Sequence, residues 1–100
     1  MIMETLTLTF VPNKWPKAVE WGKKVTEYVK KAGWRISLIR RKTGDRNELI
    51  WLSQHSSLAE ADEALEKLKA DSAFQKIWRQ GATADWYLGV RRTYWEVLSE

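Results

Sequence analysis

Residues Trp51–Trp78, WLSQHSSLAEADEALEKLKADSAFQKIW, change their hydrophobic period twice. The opening residues continue the apolar run of ELIW and predict a strand. Ser57, with Glu60 three residues later, is a capping-box signature, in which the hydroxyl accepts an N–H from the first helical turn. Leu58, Ala61, Leu65 and Leu68 then recur at helical spacing and predict a buried seam. Glu60, Asp62 and Glu63 crowd the first turn, where the helix dipole favours negative charge. ADSAF ends that period. Asp71 is placed to cap a second, short helix whose Phe74, Ile77 and Trp78 turn inward.

Upstream, TLTLTFV (Thr5–Val11) alternates strictly, with Leu6, Leu8 and Phe10 on one face and Thr5, Thr7 and Thr9 on the other. This is the period of a half-buried strand. PNKWP breaks it, with Asn13 as the expected N-cap and Pro16 in the first helical turn. Trp15, Ala18, Gly22, Val25, Val29 and Ala32, widened by Trp21 and Tyr28, form the stripe of an amphipathic helix ending at Gly33. WRISLIRRKTG (Trp34–Gly44) predicts a second strand, TGDRN a turn, and ELIWLSQH a third strand. Downstream, RQGAT reads as a loop, and DWYLGVRRTYWEVLS as a last strand or two, its period blurred by Gly89 and Arg91–Arg92. The order strand, helix, strand, strand, helix, strand specifies an α+β fold. It is the ferredoxin-like βαββαβ sandwich, an antiparallel sheet with its helices on one face.

The 100 residues make one domain, with 44% apolar and 30% charged content, as in an ordinary soluble protein. No apolar run approaches the ~20 residues of a membrane span. The start, MIMETLTLTF, lacks the basic region of a signal peptide. Without cysteine there is neither a disulfide nor a thiolate metal site, and a cytoplasmic location is expected. Residues 1–44 carry ten basic and three acidic side chains, a net of +7, and residues 45–100 carry seven and ten, a net of −3. A basic first helix lying beside an acidic second one accounts for this asymmetry.

Helices on one face leave the other face of the sheet uncovered. With Leu6, Leu8, Phe10, Ile36, Leu38, Ile50, Leu52, Leu88 and Val90 expected toward the helices, alternation assigns the opposite set to the open face. Its ligand-pocket candidates are Thr7, Thr9, Arg35, Ser37, Trp51, Ser53, His55, Tyr87 and Arg91. Such a mixed polar and aromatic face suits nucleic acid or a second copy of the sheet closing over a cavity. RNA-recognition modules of the same strand order stack bases on aromatics of their first and third strands, beside a Lys/Arg-Gly-aromatic signature. NELIWLSQH has one tryptophan, no glycine and no basic residue, and the first strand offers threonines, so nucleic acid is not the expected partner.

SSLAEADEALEKLKADSAFQKIW resembles the second half of dimeric α+β barrel proteins, where a helix is followed by a small-Asp-x-aromatic break and a short aromatic helix. Antibiotic-biosynthesis-type monooxygenases and NIPSNAP-like proteins share this plan. The specific likeness covers about residues 45–80, and the order of elements extends it along the chain. The resemblance implies a homodimer with the two sheets face to face and a pocket in each subunit for a small apolar or aromatic ligand. Its haem-degrading branch uses an asparagine in the first strand and a histidine in the short late helix. This chain has TLTLTF and SAFQKIWR at those places, so no haem, other cofactor or metal is expected.

His55 is the only histidine. Its imidazole suits proton transfer, yet at a strand end before a Ser-capped helix it reads first as part of a turn. Of the seven tryptophans most read as packing, with Trp51 and Trp86 the candidates for more. Arg40–Arg41–Lys42 reads as a solvated strand end. Arg91–Arg92 places one guanidinium on each sheet face, and the inner one requires a partner. The expected function is small-molecule binding or enzyme-like chemistry, with cofactor-independent oxygenation as its sharpest form. The alternative is a homodimerising interaction module without catalysis.

Overall fold

The alternation of TLTLTF builds the strand on which the sheet is assembled. In the computed structural model, which describes residues 1–44 and 47–100, β1 (Ile2–Phe10) lies between two antiparallel neighbours. Asp45 and Arg46 of the expected TGDRN turn lie outside the described residues. A short 3₁₀ turn (Pro12–Lys14) leads into α1 (Trp15–Lys31), followed by β2 (Arg35–Arg40), β3 (Glu48–His55), α2 (Leu58–Lys69), α3 (Ser72–Ala82) and β4 (Tyr87–Glu96). The strand order is β2-β3-β1-β4, and every pairing is antiparallel. This is the ferredoxin-like α+β arrangement. The molecule is a slab 18 Å thick, the depth of one sheet and one helix layer. No helix is long and apolar enough to cross a membrane among the described residues.

The caps form largely as the residue types dictate. Ser57 Oγ accepts the Glu60 N–H at 3.2 Å, and Asp71 Oδ1 accepts the N–H groups of Ala73 and Phe74 at 3.0 and 3.1 Å. Asn13 does not cap α1: it sits inside the 3₁₀ turn, and Lys14 occupies the cap position without a side-chain bond. Trp15 is not part of the buried stripe either. It is 44% exposed, beneath the Arg40 guanidinium at 4.5 Å. Leu58 is likewise 51% exposed, so Ala61 and Leu68 carry the buried seam of α2.

The expected assignment of faces holds for β1 and β2 and fails for β3. Leu6 stands opposite Trp51, Leu8 opposite Leu49, Glu4 opposite Ser53 and Ile2 opposite His55. Directly opposed residues share a face, so Leu49, Trp51, Ser53 and His55 look toward the helices, and Ile50 and Leu52 belong to the open face. Residues 49–52 are all apolar, so either parity satisfies the pattern, and a one-residue choice turns every side chain over. In β4 the pairing shifts between Thr9 and Phe10, bringing Tyr87 opposite Phe10 on the helix side, while Leu88 is 59% exposed. Gly89 takes φ +149° at this irregularity, a region that L side chains avoid. The last segment is thus one bulged strand.

RQGAT is helical through Ala82, and Gly81 explains why. The Trp21 indole of α1 lies against the Gly81 backbone so closely that an added Cβ would overlap the ring. Trp21 Nε1–H donates to the Ile77 carbonyl at 2.9 Å, and its ring centroid lies 4.8 Å from Trp78, 5.5 Å from Trp86 and 5.6 Å from Trp51. Trp51 and Trp86, read as candidates for function, are 3% and 5% exposed in this cluster.

Tyr28 of α1 donates its hydroxyl to Asp71 Oδ2 at 2.5 Å, tying α1 to the α2–α3 corner. The tyrosine hydroxyl, then the Phe74 and Ala73 N–H groups, hold the Asp71 carboxyl below its ordinary value, against a smaller opposing effect of burial. The same bond, then burial, then the Asp71 charge raise the tyrosine.

Gly81→Ala is expected to lower stability by about 1–3 kcal/mol, because overpacking against a fixed ring outweighs the ~1 kcal/mol that alanine gains in a helix. A urea titration followed by tryptophan fluorescence measures this. A second expectation concerns pH. The Asp71 contribution is complete above the unfolded carboxylate value, near pH 4, and is lost as pH falls through the lowered folded value. Asp71→Asn should therefore flatten the decline of the urea midpoint below pH 4, relative to the parent chain.

Candidate ligand pocket

Glu4 continues the inward parity of Leu6, Leu8 and Phe10, so β1 turns a carboxylate toward the helices, where it is 3% exposed. Two cations or potential cations reach it from the flanking strands. His55 Nε2, at the end of β3, lies 3.1 Å from Glu4 Oε1, and Arg92 Nε, on β4, lies 3.1 Å from Glu4 Oε2. Because the carboxylate only accepts, the imidazole Nε2–H is the donor. Ser53 Oγ stands 3.4 Å from the same nitrogen. The side chains of His55 and Glu4 are 7% and 5% exposed, whereas Arg92 retains 32%. The Trp34 ring meets His55 edge-on at 5.1 Å. Tyr94 stands opposite Glu4 in the register, and burial, with a smaller contribution from the Glu4 charge, raises its hydroxyl above the ordinary tyrosine value.

This cluster borders a pocket of about 300 Å³ between the sheet and all three helices. Glu4, Ser53 and Arg92 contribute its polar end. Leu6, Ile36 and Trp51 form the sheet wall, and Val25, Val29, Leu65, Leu68, Phe74 and Trp78 the helix wall. Trp51 is held by its Nε1–H, which donates to Thr26 Oγ1 at 3.0 Å. Phe74 and Trp78 stack at 6.0 Å with 25° between their planes. Lys69 and Gln75 add polar atoms from the helix side. A few polar groups converging on an apolar, aromatic cavity are the general anatomy of a small-molecule site.

A second concavity, an open groove of about 850 Å³, runs between the ends of α1, β2 and β3 and the flank of α2. His55 lines this groove, as do Arg35, Glu60, Glu63 and Lys67, while Trp34 lines both spaces.

The nine candidate residues do not share one site. Trp51 and Ser53 line the inner pocket, and His55 is bonded to the cluster from the groove side. Tyr87 also faces the helices, but beside Trp21, where burial raises its hydroxyl. The pairings assign Thr7, Thr9, Arg35, Ser37 and Arg91 to the opposite face of the sheet. Arg92 has the partner that the inner guanidinium required, in Glu4. Glu4, Phe74 and Trp78 were not among the candidates. Glu4 was detectable, since it is a charge at an inward position of an alternating strand. With Trp51 turned inward, the described open-face residues of β1 and β3 include no aromatic side chain, which is what base stacking on this sheet would need. No group of three or more potential metal ligands converges among the described residues.

No protein-family model and no curated protein matches this chain. Solved structures share its fold over nearly its whole length. An uncharacterised NIPSNAP domain protein from Burkholderia xenovorans superposes with a TM-score of 0.85 at 13% identity, covering 99% of this chain and 96% of that one. A NIPSNAP family protein with unknown function from Agrobacterium tumefaciens gives 0.78 at 18%, covering 95% and 86%. An antibiotic biosynthesis monooxygenase gives 0.73 at 9%, covering 99% and 100%. The likeness is one of fold.

Glu4→Ala would leave His55 and Arg92 without their common acceptor and open a void. It is expected to cost about 2–3 kcal/mol in urea titrations. Glu4→Leu refills the volume and lets Arg92 turn to solvent, so it should recover much of that loss.

Proposed function

We propose that this chain is a small-molecule-binding, enzyme-like protein whose ligand occupies the pocket between sheet and helices. The observation that carries the reading is Glu4, a buried carboxylate at the polar end of an aromatic cavity. Burying a charge costs several kcal/mol before pairing offsets it, and an apolar residue at this position would pack without that cost. The volume suits a ligand of one or two fused rings resting against the Trp51 and Trp78 side chains, with a polar group toward Arg92. One protein of the same fold is named an antibiotic biosynthesis monooxygenase. Cofactor-independent oxygenation is accordingly the sharpest enzymatic form of the proposal.

The uncovered sheet face is the proposed dimer interface in a cytoplasmic protein. Ile39, 43% exposed, and Trp95, 54% exposed, lie on it with Ile50 and Leu52, an apolar surface that a second copy of the sheet would bury. This surface also favours a second reading, a homodimerising module without catalysis.

Native mass spectrometry of gently purified protein separates the two. The ligand reading expects extra mass on the native protein, lost in Leu65→Trp, which fills the pocket from the α2 side. A bare dimer whose Leu65→Trp variant is indistinguishable in ligand screens would support the interaction module instead.

A further inference from the structure

The two concavities adjoin along Trp34 and Leu68, which line both, and one hydrogen-bonded pair of side chains spans them. Glu4 lines the inner pocket and not the groove, His55 lines the groove and not the pocket, and they are bonded to each other at 3.1 Å. Trp34 and Leu68 border both spaces, and beside them the Glu4–His55 bond is the polar link from one to the other. From this juxtaposition we propose that Glu4 and His55 form a proton relay, carrying a proton between groove water and a ligand bearing an ionisable hydroxyl group in the pocket. The inference rests on the pocket being a ligand site.

The relay needs only groups that are present. His55 takes a proton from groove water and becomes an imidazolium. The incoming proton binds Nδ1, the Nε2 proton passes to Glu4 Oε1, and Glu4 hands a proton to the ligand oxygen. A water O–H and the Nε2–H bond break, and an Nδ1–H and the ligand O–H bond form. Hydroxide is left in the groove water and the imidazole is left as its Nδ1–H tautomer. In reverse, His55 starts as the Nδ1–H tautomer: the ligand O–H bond breaks, its electron pair stays on the oxygen, the proton passes through Glu4 to Nε2, and Nδ1 then releases its proton to groove water. Arg92 borders the same end of the pocket and would face the oxyanion. It remains charged throughout, so it compensates Glu4 when the carboxylate is ionised and the ligand when Glu4 is transiently protonated. The charged groups around His55 are Glu4 from β1, Arg35 from β2, Met1 at the start of the chain, Glu60, Glu63 and Lys67 across the groove from α2, and Asp71 at the α2–α3 corner. The groove therefore carries charges of both signs.

An inert structural triad would satisfy the same bonds with both ends sealed. Here one end opens on an apolar cavity of ligand size and the other on an open groove, and that difference makes the pair a conduit.

The probe is 4-nitrophenol, whose absorbance reports its ionisation and whose single ring fits the pocket volume. Its binding to the full chain is titrated across neutral pH, with Leu65→Trp identifying the site. His55 is read by ¹⁵N-resolved NMR, where the chain's only imidazole is unambiguous. The expected result is a bound phenol with its apparent pKa lowered by about one unit, a tenfold preference for phenolate, while the His55 nitrogens move toward the imidazolium pattern. His55→Gln keeps the Glu4–Arg92 pair and should bind the neutral phenol within about threefold of the parent while losing most of the shift. Binding with an equal shift in His55→Gln, or an imidazole unmoved by the ligand, would overturn the relay and leave the pocket standing. Absence of saturable binding, or binding untouched by Leu65→Trp, would overturn the pocket reading and the relay with it. The NMR arm uses the unaltered chain and holds even if His55→Gln folds poorly.

Discussion

The contact between Trp21 and Gly81 sets the distance between α1 and α3. An indole ring on one helix rests on the bare backbone of the other, so no side chain separates them there. The same ring touches Trp51 on the sheet and Trp86 before β4, and its N–H is satisfied by an α3 carbonyl. One large side chain thereby fixes two helices and the sheet relative to each other. Because the interior is close-packed, the position of Trp78, and with it one wall of the pocket, follows from that contact. The Tyr28–Asp71 bond acts at the other end of α3, where it orients the helix start that carries Phe74.

Against this dry aromatic centre, the Glu4 cluster is the expensive part of the fold. A carboxylate, an imidazole and a guanidinium are brought under the helices from three different strands, and each supplies what another lacks. The arrangement is tolerated because the bonds to Glu4 satisfy both of its oxygens and because Arg92 keeps a third of its side chain in water. Such a group adds little net stability once its desolvation is counted, which directs attention to what it does in the pocket rather than to what it holds together.

Much of the architecture was legible because local chemistry and tertiary placement agreed. TLTLTF has one acceptable inward face, the Ser57 and Asp71 caps act within their own turns, and the succession of periods leaves few topologies that bury every apolar stripe. The site was legible only in fragments. The Arg91–Arg92 pair announced an inner guanidinium, and Glu4 carried a signal in its parity. The register of β3 turns Trp51, Ser53 and His55 to the helix side, whereas the sequence pattern groups them with residues of the open face. Gly81 was read as a loop residue, because nothing local distinguishes a glycine that ends a helix from one that admits a ring.

From the sequence alone came the order of elements, the antiparallel α+β sandwich, the Ser57 and Asp71 caps, and the expectation that one sheet face is uncovered. All of these depend on interactions within a few residues or on a strict period. Only the tertiary structure decided the parity of β3, the bulge that turns Tyr87 inward, the helical state of Gly81, and the meeting of Glu4, His55 and Arg92. Each of these depends on which strand lies opposite which and on what packs across the gap. In β3 four consecutive apolar residues left two faces equally acceptable locally, and pairing with the unambiguous β1 chose between them.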